Sequence, residues 1–419
     1  MAASPIEPAV RTRNPDFAKL WVGQGISMIG SQVTYLALPI TAAVTLSATP
    51  LQMGILSAVG SAPALLFGLL AGVWVDHHKR RPILIGSDIG RALVLAIIPL
   101  SALLGMLRVE VMYVVGFLAG GFGLFFNVAY RSYLPGLVGR DQLVKANSQL
   151  ELSNSVAEII GPGAAGGLVQ LIGAPFAIAV DAFSFIVSSF SIGLIRTPEP
   201  PLKPVEGGTD LGNEIKDGLR LVFGERSLRA LAGCIGSISL FNAIFEAVQI
   251  LFLTRQLGLS AAWLGVIFAC GSVGFLLGAV IADRLTRRLG LGRCLVLGVL
   301  VIGASDMLLP LAGRLSILWL IIGVLVLAQL FFGMGLTVFQ IGQVSLRQSL
   351  TPDHLQGRMN ATLSMLTWGI VPLGGLLGGV LGQVLGLSPT LLLAAFGEML
   401  TVFWLVFSPV RMIRHTGGV

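Results

Sequence analysis

The residues of this chain that could do chemistry are two short charged motifs and a few carboxylates set inside apolar segments. Gly72-Val-Trp-Val-Asp76-His-His-Lys-Arg80-Arg81 and Ala279-Val-Ile-Ala-Asp283-Arg284-Leu-Thr-Arg287-Arg288 repeat one pattern, a carboxylate followed by clustered bases, at matching places in the two halves of the chain. Charges so placed can form ion pairs that hold two parts of a protein together and break when its shape changes. The embedded ionisable residues are Asp88 with Arg91, Glu151, Glu158, Asp181, Glu246, Asp306 and Glu398. Each costs at least ~2.5–3.5 kcal/mol at a membrane-helix centre on insertion scales, so each needs a partner or a use. A carboxyl group shielded from water can exchange protons near neutrality, which is what coupling to a proton gradient requires.

The elements that must position these groups are membrane spans. With 55% hydrophobic and 11% charged residues, the chain cannot cover itself with polar surface, and lipid must be its solvent. Twelve apolar runs of spanning length fall near 18–44, 51–75, 83–106, 110–133, 147–172, 175–195, 229–253, 261–282, 294–312, 316–342, 360–385 and 389–410. With the N-terminus inside, only Arg108, Arg255 and Arg314 of the 27 Lys and Arg reach the far side. Both termini are therefore expected in the cytoplasm, in an inner-membrane protein. The net charge of +7 is mostly this topology signal, and it implies no nucleic-acid partner. The polar start, residues 1–17, lacks a signal-peptide core and should be retained.

Two halves are expected. Arg196 to Ser227 is the longest polar stretch, opened by Pro198, Pro200, Pro201 and Pro204. It divides the chain into an N-terminal bundle (1–195), a linker (196–228) and a C-terminal bundle (229–419). Leu211, Ile215, Leu219 and Val222 recur in the linker at helical spacing, as in a helix lying on the membrane surface or a solvated connector. Asp141-Gln-Leu-Val-Lys145-Ala-Asn147 returns as Asp353-His-Leu-Gln-Gly-Arg358-Met-Asn360, and Pro162 returns as Pro372. The offsets of these matches nearly equal that between Asp76 and Asp283, which points to duplication.

Several chemistries are excluded. No phosphate-binding Gly-x-x-x-x-Gly-Lys-Ser/Thr loop occurs, and Gly121-Phe-Gly123 lies in an apolar span without the strand a dinucleotide loop needs. Cys234, Cys270 and Cys294 sit in or beside spans, so no disulfide framework is expected. His77, His78, His354 and His415 have no metal-ligand spacing, and no catalytic constellation can be drawn from them. The chain is expected to be neither an enzyme nor in need of a metal or cofactor.

Within the spans, Glu151, Ser155, Glu158 and Pro162 form one helical stripe, and Asn242, Glu246 and Gln249 another, with Phe241 and Phe245 beside it. An acid next to aromatics suits an amphipathic or cationic solute. Gln24, Ser27, Ser31 and Thr34 line the first span, and Gln340, Gln343 and Arg347 the tenth. Such uncharged stripes, like the small-residue pairs Gly68/Gly72, Gly274/Gly278 and Gly374/Gly378, often join helices. Asp88 and Arg91, three apart, can neutralise each other.

Over essentially its full length the chain resembles the major facilitator superfamily. Gly72, Asp76, Arg80 and Arg81 match the superfamily signature between helices two and three. His77 and Lys79 depart from it, and in the second copy Asp283, Arg284, Arg287 and Arg288 match while Ala279 replaces glycine. Ala157-Glu-Ile-Ile-Gly161-Pro162-Gly163-Ala-Ala-Gly166-Gly167 is similar to the antiporter signature of exporters, with one extra residue before the closing glycines. Trp21-Val-Gly-Gln24, Tyr130-Arg131-Ser-Tyr-Leu134-Pro135, Lys145-Ala-Asn147-Ser and Asp181-Ala-Phe-Ser184-Phe look like the macrolide-efflux and enterobactin-exporter subgroup.

The resemblance implies an all-α membrane protein of two pseudo-symmetric six-helix bundles, with the first, fourth, seventh and tenth spans lining a central cavity. It raises Glu246 as a site candidate and lowers Asp181, Asp306 and Glu398, which lie on outer helices. Ser31 stands where many such exporters carry an acid. Proton coupling or substrate contact is therefore assigned to Glu158 and Glu246, with Asn242, Gln249, Gln24, Ser31, Asn127 and Tyr130 around them. A cytoplasmic gate is assigned to Gly72, Asp76, Arg80, Arg81, Asp88, Arg91, Arg131, Asp283, Arg284, Arg287 and Arg288. The expected activity is proton-coupled export of a hydrophobic or amphipathic small molecule by a monomer. An importer of a nutrient or lysolipid, and a non-transporting sensor or assembly partner, are the alternatives.

Overall fold

The computed structural model describes residues 15–199, 211–352 and 355–413. Of the residues singled out above, those in 1–14 and 200–210, together with Asp353, His354 and His415, lie outside this range. The first half contributes α1 (Pro15–Ile40), α2 (Pro50–Asp76), α3 (Arg80–Leu103), α4 (Val109–Val138), α5 (Leu143–Ile172) and α6 (Ala174–Gly193). A surface helix α7 (Leu211–Gly224) precedes α8 (Arg226–Leu251), α9 (Ala261–Leu289), α10 (Leu291–Ala312), α11 (Leu318–Leu350), α12 (Gln356–Val384), α13 (Leu387–Leu400) and α14 (Val402–Val406). Twelve segments are long and apolar enough to cross a membrane, α13 and α14 together forming the last. Spanning chains must satisfy their backbone internally, which is why the embedded structure is helical throughout.

Among the first six helices α1 packs on α5 and α6, and α3 on α4 and α6. In the second set α11 packs on α9 and α10, while α8 packs on α12 and α13. The duplication is visible in backbone detail. α1 ends in a wide turn, Thr41–Thr45, and α8 ends in another, Phe252–Gln256, at the corresponding place in the second half. Leu46 N–H donates to Thr41 O at 3.1 Å, and Leu257 N–H to Phe252 O at the same distance. After connections of equal length, α2 begins at Pro50 and α9 at Ala261.

The bundles touch mainly along two crossings, α2 on α12 and α5 on α9, with a smaller contact of α2 on α8. Each crossing is made by glycines facing glycines. A Cβ on Gly166 would lie 2.6 Å from Ala261 O, and one on Gly265 2.5 Å from Pro162 O. In the mirror crossing a Cβ on Gly54 would lie 2.7 Å from Gly379 Cα, and one on Gly379 2.9 Å from Gly54 Cα. Gly54 of α2 and Gly265 of α9 hold the same position, counted from the start of their helices. Any side chain would force the backbones apart, so the small residues set the helix separation.

These crossings lie toward the face opposite the one where the described chain begins and ends. There Arg255 also donates from Nη2 to Ala43 O and Ala48 O, both at 2.8 Å, tying the end of α8 to the end of α1. Near the terminal face contact is lost. A Cβ on Gly68 or Gly72 would meet nothing within 4 Å, and Trp74, Met365 and Trp368 are exposed. Gly68 and Gly72 therefore do not join helices here, in contrast to Gly274/Gly278, which pack on α11, and Gly374/Gly378, which pack on α8. The molecule is open at its terminal face and closed at the far one.

The two charged motifs are not equivalent turns. In the first, α2 stops at Asp76 and α3 restarts at Arg80, with Pro82 in its first turn, where proline is tolerated. The second copy has no proline, and α9 runs on through Asp283, Arg284, Arg287 and Arg288 to Gly290, which turns the chain at φ +84°. The bases occupy an added helical turn, where positive charge suits a helix C-terminus. The α7 segment is no free connector. Val222 is buried with Ala232, Met359 and Leu363, and Gly218 packs on Arg358 O and Thr362 of α12.

Gly265→Val should separate α9 from α5, an overpacking cost of roughly 1–3 kcal/mol, and lower the thermal midpoint of the detergent-solubilised protein by several degrees. Gly86→Ala, where the added Cβ meets nothing within 4 Å, should leave the midpoint unchanged.

Candidate functional site

Among the described residues, the gap between the bundles contains one direct polar contact from α1 to α8, Tyr35 Oη donating to Glu246 Oε1 at 3.5 Å. Tyr35 is 70% exposed, and Glu246 is exposed between buried Phe245 and Ala247. Glu246 thus projects from an otherwise packed helix into open space, its carboxylate facing a phenol of the other bundle. The aromatic partner differs from that expected. Phe245 is buried in the core and Phe241 packs on Gly397 of α13, so both turn away from the gap. Tyr35 was invisible to spacing arguments because its partner lies in the other half of the chain.

The other expected cavity residues separate into two groups. Asn127 is exposed, Ser31 and Asn242 are half-buried, and Tyr130 stacks on Phe126 with its hydroxyl buried and without a partner. Gln249 is buried. Gln24 is a correction: it is buried and donates to Ser188 Oγ of α6 at 3.0 Å, so it joins helices within one bundle and does not face the gap.

Glu158 lies at mid-helix on the α5–α9 crossing. Its backbone oxygen accepts from Ser272 Oγ of α9 at 2.5 Å, and its carboxylate accepts from Asn154 at 3.0 Å. Of the glycines in the helix-five motif, Gly161 packs on Gln32 of α1 and Gly166 makes the crossing to Gly265. A Cβ on Gly167 would meet nothing within 4 Å. Pro162 presents its carbonyl to Gly265. The motif's first use here is close helix contact.

The charged residues assigned to a gate make their pairs within each bundle. Asp76 lies 3.9 Å from Arg80, and Asp283 2.6 Å from Arg287, both i,i+4 pairs of small energetic weight. Among the described residues Arg284, Arg288 and Arg131 form no ion pair. Arg81 caps α6, donating to Ile192 O at 3.2 Å and Gly193 O at 2.6 Å. Glu199 from the linker closes the start of α3 by accepting the Arg80 and Arg81 backbone N–H groups.

Asp88 and Arg91, read as structural or gating, lie inside the N-terminal bundle. Asp88 is fully buried, and Arg91 Nη2 meets it at 2.5 Å. The guanidinium lies 4.5 Å from the Phe126 ring centroid and 4.0 Å from that of Phe185. This is a core pair compensated by charge and by aromatic faces. In the other bundle Asp306 and Glu398 are also buried, 4% and 0% exposed, and among the described residues no arginine pairs with them. Among the described residues no three His, Cys, Asp or Glu side chains converge to hold a metal.

Two six-helix bundles of matching design, sealed by glycines at one face and parted at the other around a carboxylate, are an architecture of membrane transporters. The chain belongs to the Major Facilitator Superfamily, whose family profile matches residues 20–372. It is 27% identical over 368 residues to the multidrug efflux pump Tap of Mycolicibacterium fortuitum, covering 86% of this chain and 87% of that one. It is 25% identical over 238 residues to macrolide efflux protein A of Streptococcus pyogenes, covering 56% of this chain but only 58% of that protein's length. It is 25% identical over 353 residues to the enterobactin exporter EntS of Escherichia coli, covering 83% and 80%. The fold matches the crystal structure of a bacterial homologue of the iron transporter ferroportin in its inward-facing state, with TM-score 0.75 at 18% identity over 95% of this chain and 99% of that one. The chain is a multi-pass membrane transporter and not an enzyme.

Arg91→Gln should leave Asp88 charged and unpaired in the core, destabilising the protein by about 3–5 kcal/mol. The double variant Asp88→Asn/Arg91→Gln should recover most of that loss in thermal unfolding.

Proposed function

We propose that this transporter exports a hydrophobic or amphipathic small molecule, of the drug, macrolide or siderophore kind, in exchange for protons across the cytoplasmic membrane. The observation that carries the reading is the Tyr35–Glu246 contact, an acid aimed into the gap and bridging the bundles. An acid in that position can hold a proton or a cationic or polar group of a solute, but not both at full strength, and this competition is the basis of exchange. The efflux names of its relatives support the outward direction.

The terminal face is the cytoplasmic one on this reading, because it collects nearly all the Lys and Arg. The state described is then open to the cytoplasm. Solute enters past Asn127 and Tyr130 and reaches Glu246. Closure of the terminal face brings the Asp76 and Asp283 motifs together and loosens the far-face crossings. The within-bundle pairs Asp76–Arg80 and Asp283–Arg287 are weak enough to exchange partners as this happens. One chain holds both bundles and the gap, so a monomer suffices.

In proteoliposomes with an imposed pH gradient, the protein should drive uptake of ethidium or a macrolide into inside-out vesicles. Glu246→Gln should cut that flux at least tenfold, and Glu158→Gln more modestly. Full pH-driven flux in both variants would remove these acids from the coupling step.

A further inference from the structure

The two buried acids of the C-terminal bundle remain without a role. The N-terminal bundle buries Asp88 and Asp181 around Arg91, whose charge acts on both. In the C-terminal bundle Asp306 of α10 and Glu398 of α13 lie against each other, with Asn242 of α8 beside Glu398. Both Glu398 carboxylate oxygens and Asp306 Oδ2 are buried with no hydrogen-bond donor. An acceptor faces an acceptor, at a site where each unmet oxygen costs about 1–3 kcal/mol and a charged one more.

Among the described residues no base is within reach. α8 carries Arg226, Arg229, Cys234 and Glu246, and α10 carries Arg293, Cys294 and Asp306, while α13 carries Glu398 alone. Arg229 and Arg293 each stand more than three helical turns, ~20 Å along their helices, from Asn242 and Asp306 respectively. Arg255 is engaged with Ala43 O and Ala48 O. Glu246 is the remaining charged group acting on the pair, and it is another acid.

The helices that carry the pair pack closely. A Cβ on Gly303, one turn before Asp306, would lie 2.9 Å from Met399 Cβ, so the missing side chain lets α10 approach α13 beside Glu398. The last span also breaks here. Thr401 donates both its N–H, at 3.0 Å, and its hydroxyl, at 2.6 Å, to Glu398 O, which tightens the turn between α13 and α14.

We propose that Asp306 and Glu398 form a proton-holding pair behind the cavity, one carboxyl donating its O–H to the other carboxylate, in exchange with Glu246 through the Asn242 side of α8. The missing donor between the two acids is the proton itself. Two carboxyl groups buried against each other cannot both stay ionised. Asn242 is one helical turn before Glu246, so a single turn of α8 separates the side chain beside the pair from the acid in the gap. When Glu246 ionises, its proton passes to the carboxylate of the pair that is still charged, so the charge moves from the pair to Glu246 and the pair is never doubly ionised. The return transfer reverses the step. This rests on the exchange mechanism proposed above and adds to it the site where the proton is kept.

The test uses the full-length protein in detergent and in proteoliposomes. Infrared spectroscopy at neutral pH should show a protonated-carboxyl band that is lost in Glu398→Gln and in Asp306→Asn/Glu398→Gln and kept in Glu158→Gln. Thermal midpoints of the near-isosteric variants would verify their folding, with Asp306→Asn alone as the second variant. In the same variants, ethidium flux driven by a pH gradient should fall at least tenfold. A band unchanged in these variants, or absent from the unsubstituted protein, overturns the proposal. Stabilisation by sodium at constant pH, lost in Glu398→Gln, would make the pair a sodium site and overturn it equally. Wild-type flux that is proton-driven, with full flux in Glu398→Gln, defeats this inference and spares the exchange mechanism. The band without any pH-driven flux defeats the exchange mechanism and spares the pair.

Discussion

Backbone contact at the two glycine crossings is the constraint on which the rest of the molecule depends. In lipid, apolar side chains gain little by leaving the surrounding tails for one another, so bundles are held where helices can approach closely and where polar groups meet. Gly166 against Gly265 and Gly54 against Gly379 provide that approach, one crossing mirroring the other. Arg255 adds two charge-assisted bonds at the same face. With these contacts gathered toward one face, the opposite ends of α2, α5, α9 and α12 are left to part, and the gap opens there.

That arrangement makes the charged motifs a separate device from the seal. Asp76 and Asp283 pair within their own bundles in this state, while Arg81 and Glu199 fasten helix ends and the start of the linker. The α7 helix rides on α12 through Gly218. The linker is thus anchored at one end to the N-terminal bundle and at the other to the C-terminal one, which suits two bodies that rock about a sealed face.

The two bundles treat buried charge differently despite their common origin. One surrounds its acids with an arginine held between Phe126 and Phe185. The other leaves Asp306 and Glu398 with orphan oxygens in its interior. Duplication supplied the same scaffold twice, and divergence left stability chemistry on one side and an open acid cluster on the other. The outer position of α10 and α13 had counted against these two residues.

The twelve spans, the halving of the chain and the charged ends were legible in the residues, because hydrophobic length and the distribution of Lys and Arg are properties of the chain in order. The repeated offsets marked the duplication for the same reason. Helix ends were less legible: the second motif continues as helix because Pro82 has no counterpart, a one-residue difference within an otherwise repeated pattern. What faces what was not legible at all. Tyr35 and Glu246, Asp306 and Glu398, Gly54 and Gly379 are each brought together from distant positions, and no spacing rule reports which side of a helix its neighbour covers. Gln24 and Phe245 looked like cavity residues along the chain and proved to be packing residues. The sequence by itself determined a duplicated membrane transporter and its helices, since lipid imposes span length and internal hydrogen bonding. Only the tertiary structure decided which face is sealed and which acids meet, since that depends on helix rotation and on how closely two backbones can approach.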